Sequence, residues 1–233
     1  MKKFFFGVIV VLILAVAGAW WFLPLYLQRH IESYLDQHVP MENRQVQVVT
    51  GNPFDVLQGR IERVTAEGDR VQTADLTYAH IKVNLEQVRF DAQRLWYDRQ
   101  FEVAEIGGGE VSASLAQEEL QHRLQAEIDA IENLQVNITT EKIAVSGDLH
   151  LGNLSLGPIE LDGVPLLKDN RLVVLPNGLR LNRWGVNGVN SALMKTIDVY
   201  DFRRFPIPVT AQKVELQNGM IVATAIPAKG NGN

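Results

Sequence analysis

After Lys2 and Lys3, the residues from Phe4 to Leu27 are apolar almost throughout, and this stretch of 24 carries no charge. A helix needs roughly 20 such residues to cross a hydrocarbon core, and basic residues ahead of it favour a cytoplasmic N-terminus. The pattern predicts a signal-anchor helix over residues 1–27, with the rest of the chain outside the cytoplasm in a periplasmic or cell-envelope space. Ala17-Gly18-Ala19 has the form of a signal-peptidase site, so the alternative is a secretory signal cleaved after Ala19. Against cleavage, Trp20, Trp21, Phe22, Leu25, Tyr26 and Leu27 carry the apolar character past that point, and Trp and Tyr favour the membrane interface.

Beyond Leu27 the period changes. Leu27, Ile31, Tyr34, Leu35 and Val39 are spaced as one helical stripe, which Pro40 stops. Period-two alternation follows. Val46 and Val48 alternate with Gln45 and Gln47, and Ile81, Val83 and Leu85 with Lys82, Asn84 and Glu86. Such alternation describes strands with one buried face and one wet face. Turns are expected at Asn52-Pro53 and Gly68-Asp69, and Gly107-Gly108-Gly109 should end a strand that starts near Phe101. Val88 and Phe90 extend the Ile81 strand past a bulge.

Ala116, Leu120, Leu124, Ile128 and Ile131 then form a second helical stripe, with Ser112 or Ser114 as its cap and Glu118 and Glu119 in its first turn. An antiparallel meander comes next: Leu134, Val136 and Ile138; Ile143 and Val145; Leu149 and Leu151; Leu154 and Leu156; Ile159 and Leu161. Leu172 to Leu175 read as a short strand, with a turn at Pro176-Asn177-Gly178 and a short helix near Asn190–Thr196. Asn218-Gly219 predicts a final hairpin that pairs Gln217 with Met220 and Leu216 with Ile221. That register puts Val214, Leu216, Ile221, Ala223 and Ala225 on one face. One domain is expected over residues 28–228, with a disordered tail at 229–233. Its apolar sheet area exceeds what so few helices can cover, so it must close on itself, dimerise or hold a ligand.

Composition narrows the chemistry. The chain has no cysteine, which excludes disulfides, thiolate metal sites, thiol nucleophiles and a lipoprotein anchor. Without Lys2 and Lys3, 20 basic residues face 27 acidic ones, a net charge of −7. Such a chain is a poor nucleic-acid binder. His30, His38, His80, His122 and His150 are scattered, with no H-E-x-x-H, G-x-S-x-G or S-x-x-K pattern. No catalytic residue, metal or cofactor is therefore expected, and the chain does not read as an enzyme. Arg203-Arg204 between Phe202 and Phe205 is the one local basic-aromatic cluster, with a weaker one at Arg180, Arg183 and Trp184. Arginine suits phosphate because its planar fork donates paired hydrogen bonds.

Four stretches resemble the LmeA-type bacterial phospholipid-binding family. They are Leu57-Gln58-Gly59-Arg60-Ile61-Glu62-Arg63-Val64, Val111 to Leu115 running into Leu120, Arg204-Phe205-Pro206-Ile207-Pro208-Val209 (with Phe205 where the family pattern has Leu), and Val214 to Ala225. The resemblance implies an α+β fold of the tubular lipid-binding kind, a strongly curved antiparallel sheet around a long helix with an apolar groove for acyl chains. It makes phospholipid and the cell membrane the expected partners. Ala116, Leu120, Leu124, Ile128, Ile131, Val136, Leu149 and Leu151 become candidates to line the groove, and Arg203 and Arg204 candidates for the headgroup. An envelope assembly protein acting through protein–protein contacts is the alternative.

Overall fold

Period-two alternation does form strands, and most run longer than the turn signals predict. The computed structural model describes residues 25–29, 31–32, 39–73, 76–98, 102–151, 154–181, 196–205 and 207–228. The strands are β1 (Glu42–Val49), β2 (Arg60–Gln72), β3 (Thr77–Phe90), β4 (Val103–Ala116), β5 (Ile131–Ile138), β6 (Ile143–Leu151), β7 (Leu154–Lys168), β8 (Arg171–Leu181), β9 (Ile197–Asp201), β10 (Val209–Gln217) and β11 (Met220–Pro227). They form a six-stranded sheet in the order β1-β2-β3-β4-β11-β10 and a five-stranded meander, β5-β6-β7-β8-β9. The protein is mostly antiparallel sheet, and one sheet is curled as a half-barrel. Among the elements that accompany them are the helices α1 (Pro53–Leu57) and α2 (Gln117–Glu127) and a π-helical turn at Arg94–Asp98.

The chain divides into two compact units. Unit 1 comprises Met1–Gly68, Lys82–Glu110 and Ala228–Asn233, and unit 2 comprises Asp69–Ile81 and Val111–Pro227. In unit 1, Leu27, Val56, Ile61, Val88 and Leu95 are buried. Gly59 links α1 to β2 at φ +74°, and a Cβ there would lie 2.2 Å from the Phe90 carbonyl oxygen. The Phe90 N–H donates to the Gly59 carbonyl at 2.8 Å, so this close approach ties the start of β2 to the end of β3. In unit 2 the meander is antiparallel throughout, with alternate residues Leu134, Val136 and Ile138 of β5 and Ile143 and Val145 of β6 buried.

Several predicted turns are irregularities inside strands. β2 runs through Gly68-Asp69, with Arg70 at φ +47°. The reversal comes later, where the Thr73 N–H and hydroxyl both donate to the Leu76 carbonyl. β4 runs through the three glycines: Gly109, at φ +135°, brings its backbone close to Asn84 of β3, where a Cβ would be 2.1 Å from the carbonyl oxygen. Pro176-Asn177-Gly178 is a bulge, because Asp162 pairs with Gly178 and Gly163 with Pro176, leaving Asn177 extra. Gln87, at φ +52°, marks the expected irregularity before Val88 in β3.

The final hairpin has the predicted register, Gln217 with Met220 and Leu216 with Ile221. A type I′ turn occurs instead at Asp169-Asn170, both at positive φ, joining Lys168 to Arg171. The Asn52-Pro53 signal opens α1: the Asn52 side chain caps it by accepting from the Phe54 N–H at 3.0 Å. Ser112 and Ser114 do not cap α2. They lie within β4 and pair with Thr224 and Val222 of β11. Ala116 takes the cap position, and the Gln117 N–H donates to the Gly219 carbonyl at 2.9 Å. α2 ends at Glu127, so the 11-residue helix is shorter than its apolar stripe, and Ile131 opens β5.

Residues 25–29 and 31–32 are helical, as the first stripe predicts, with Leu27 and Ile31 buried. Most of the predicted anchor, residues 33–38, the short helix near Asn190–Thr196 up to residue 195, and the tail at 229–233 lie outside the described residues. Among the described residues, no helix is long and apolar enough to cross a membrane.

The Asn170 side chain clamps β10, donating to the Val209 carbonyl at 2.9 Å and accepting from the Ala211 N–H at 2.8 Å. Its backbone is also at φ +59°. Asn170→Ala should therefore lower stability by roughly 2–4 kcal/mol, from two net hydrogen bonds and a left-handed residue that alanine disfavours. Urea denaturation measures this, and a loss well under about 1 kcal/mol would mean the clamp is dispensable.

Candidate functional site

Unit 2 places an apolar interior and a polar cavity along one short helix. α2 lies against β5, an edge of the five-stranded sheet. Gln121 Oε1 accepts from the Val136 N–H at 3.2 Å, and Gln117 Oε1 lies 3.5 Å from the Ile138 nitrogen. The two glutamines are one helical turn apart and meet alternate residues of the strand. Leu120 and Leu124, on the adjoining face of α2, are fully buried. Ile131, Val136 and Leu149 are also buried, and Ile131 and Leu149 pair across β5 and β6. Ala116 and Ile128 are half-buried. Five of the eight groove candidates, Leu120, Leu124, Ile131, Val136 and Leu149, are thus buried. The Leu151 side chain lies outside the described residues.

The polar cavity has a volume of about 160 Å³ and is lined by Arg123, Arg171, Asp198, Val199, Tyr200, Asp201 and Arg204. Arg123 comes from α2, between the two buried leucines. The pairing of β8 with β9 sets Arg171 opposite Asp201. Arg171 holds Asp198 at 3.0 Å and approaches Asp201 at 3.7 Å. The lining thus combines three arginines with two aspartates. Beside it, Tyr78, Tyr200, Phe202 and Phe205 are buried. Tyr200 meets Tyr78 and Phe202 edge-on, with ring centres 5.6 and 5.3 Å apart.

The two headgroup candidates separate. Arg204 lines the cavity, whereas Arg203 is committed to Asp201, with Nε 2.8 Å from Oδ1 and 3.1 Å from Oδ2. Asp201 also accepts from the Arg203 N–H and so caps the turn Phe202–Arg204. The hydrogen bond from Arg203, with the nearby Arg171 charge, lowers the Asp201 carboxyl to about 2, and the same pairing raises Arg203. In the weaker cluster, Arg180 pairs with Glu160 at 3.2 Å and Asp162 at 2.8 Å on the surface. Arg183 and Trp184 lie outside the described residues. Among the described residues, no group of His, Asp and Glu could hold a metal ion.

The sequence model of the LmeA-like phospholipid-binding family matches residues 17–226. The chain belongs to that family. No curated protein matches the chain, and no solved structure matches it. The LmeA-like match spans every described residue of the apolar core and of the cavity. The four resembling stretches fall at the α1–β2 junction, the β4–α2 junction, the segment from Arg204 into β10, and the β10–β11 hairpin. The second and third of these supply the start of α2 and Arg204.

Arg123, Arg171, Asp198 and Tyr200 were not legible as site residues. Arg123 reads as the polar flank of a helix, and Arg171 meets Asp198 and Asp201 only through the pairing of β8 with β9.

The depressed Asp201 acidity gives a pH signature. Its ionised form stabilises the fold above its ordinary value of 3.8, and that contribution is lost as pH falls towards about 2. The gap in melting temperature between wild type and Asp201→Asn should therefore narrow over that interval. A gap that stays constant there would show that the ionised Asp201 pairing contributes nothing to stability.

Proposed function

We propose that this LmeA-like protein is a membrane-anchored, extracytoplasmic phospholipid-binding protein that holds acyl chains in the apolar interior of unit 2, in the service of lipid transport or envelope maintenance. Membership of the phospholipid-binding family carries this reading. The finer fold that goes with it is the tubular lipid-binding kind, in which a curved sheet and the α2 helix enclose the chains. The uncharged stretch from Phe4 to Leu27 supports the anchor. No enzymatic step is proposed.

The layout of α2 supports a division of labour. Arg123 faces the polar cavity, while Leu120 and Leu124 are buried. Pockets for whole drug-sized ligands measure roughly 300–1,000 Å³, so a cavity of about 160 Å³ admits a phosphate-bearing headgroup and not the chains behind it. Acyl chains require α2 and the meander to part around Leu120, Leu124, Ile131 and Leu149. Each methylene moved out of water contributes about 0.8 kcal/mol, and Arg123 and Arg204 supply charge-assisted hydrogen bonds to the phosphate.

Native mass spectrometry of the chain from Gln28 onward, with circular dichroism as a check of folding, should show stoichiometric phospholipid that organic solvent extracts. Leu124→Asp, in protein that remains folded, should abolish retention. Arg204→Ala should weaken uptake by about tenfold or more, the scale of one hydrogen bond to a charged group. A lipid-free mass combined with no uptake from labelled liposomes would refute the assignment.

A further inference from the structure

We propose that one end of unit 1, formed by α1, the π-helical turn and the first residues of β4, seats on the surface of the lipid bilayer. The proposal rests on the membrane-anchored reading of residues 4–27 and adds which surface of the external part meets lipid.

The three segments are stitched together by backbone. The Phe90 N–H donates to the Gly59 carbonyl at 2.8 Å, which brings the residue following α1 and Gln58 to the end of β3. One residue on, the Asp91 N–H donates to the Glu102 carbonyl at 3.0 Å, which brings the start of β4 to the same place. The turn Arg94–Asp98 grows from this junction, and the Leu95 N–H donates back to the Asp91 carbonyl at 3.1 Å.

Each helical piece buries one aliphatic side chain and turns its larger neighbours outward. In α1, Val56 is fully buried, while Phe54 and Leu57 are 55% and 51% exposed. In the π-helical turn, Leu95 is fully buried, while Trp96 and Tyr97 are 37% and 85% exposed. Val103, at the start of β4, is 38% exposed. Single exposed apolar residues are ordinary on a protein surface. Two aliphatics and three aromatics gathered at one stitched end are not, and Trp and Tyr are the side chains that favour the membrane–water interface.

The place where the apolar N-terminal stretch ends identifies the occupant. Tyr26, its penultimate residue, stacks on Trp96 with ring centres 5.5 Å apart and planes inclined by 15°. A span ending at Leu27 therefore delivers this end, and no remoter surface of unit 1, to the bilayer. Apolar and aromatic side chains, rather than the arginine of the turn, carry the contact: Arg94 is held by Asp91 and Glu102. Seating should accordingly depend less on salt than binding through a cluster of exposed lysines and arginines does.

The absence of cysteine allows one-site labelling. Full-length protein carrying Phe54→Cys, Leu57→Cys or Tyr97→Cys, each bearing an environment-sensitive fluorophore, would be reconstituted into phosphatidylethanolamine–phosphatidylglycerol vesicles. Asn218→Cys, on the β10–β11 turn in unit 2, is the reference. The expected result is flotation with the vesicles, blue-shifted emission at 54, 57 and 97, and quenching by brominated lipid several-fold greater than at 218. Flotation with those labels as wet as the one at 218 would overturn the proposal and leave the anchor intact. Labels shielded from aqueous quencher yet untouched by brominated lipid would mean that a protein surface covers this end, which also overturns it. Failure to float would remove the anchor and the proposal together.

Discussion

Backbone amides on the edge of a sheet must find acceptors, and in unit 2 the edge strand β5 obtains them from α2. Gln117 and Gln121 present side-chain oxygens to Ile138 and Val136. The Ile138 carbonyl accepts from Gly219, whose own carbonyl accepts from the Gln117 N–H. Helix, edge strand and terminal hairpin are therefore locked by main-chain groups or by uncharged amides. Glu119 extends the lock by accepting from the Thr77 N–H at 3.0 Å. Once Gln117 and Gln121 are fixed, the helical period directs Leu120 and Leu124 into the interior and places Arg123 at the cavity.

The polar side of unit 2 is organised by Asp201. It caps the turn Phe202–Arg204, pairs with Arg203 and lies near Arg171, while the aromatic neighbours Tyr200, Phe202 and Phe205 are buried. The Arg-Arg dipeptide is thereby split, one arginine serving the turn and the other lining the cavity. Adjacent residues of one charge need not share a role: here one is bound into the capping pair with Asp201, and the other lies in the cavity lining.

Alternation and local turns were legible in the sequence. Leu134, Val136 and Ile138 are buried as their spacing predicts, and Asn218-Gly219 sets the hairpin register. Gly68-Asp69, Gly107 to Gly109 and Pro176-Asn177-Gly178 misled, because glycine and proline mark bulges and close backbone contacts as readily as reversals. The α2 cap was misplaced because its first amide is satisfied by Gly219, about a hundred residues away, and no local pattern encodes such a partner. The cavity was hidden for the same reason: Arg171 meets Asp201 only through the pairing of β8 with β9, and Arg123 joins them from α2. The aromatics at positions 96 and 97 carried no periodic signal, since a π-helical turn follows neither strand nor helix spacing.

The buried side chains among the described residues are aliphatic or aromatic, and the chain has no disulfide to brace its interior. Buried polar pairs can make one packing unique, because any rearrangement strands a donor or an acceptor. Away from the Gln117 and Gln121 contacts and the tyrosine hydroxyls, the leucines, isoleucines and valines of this interior are held by contacts that any hydrocarbon could supply. For such a core, replacing a side chain's neighbours with an alkyl tail is a transfer between two oils, and the free energy of that step can lie near zero while each phase stays dry.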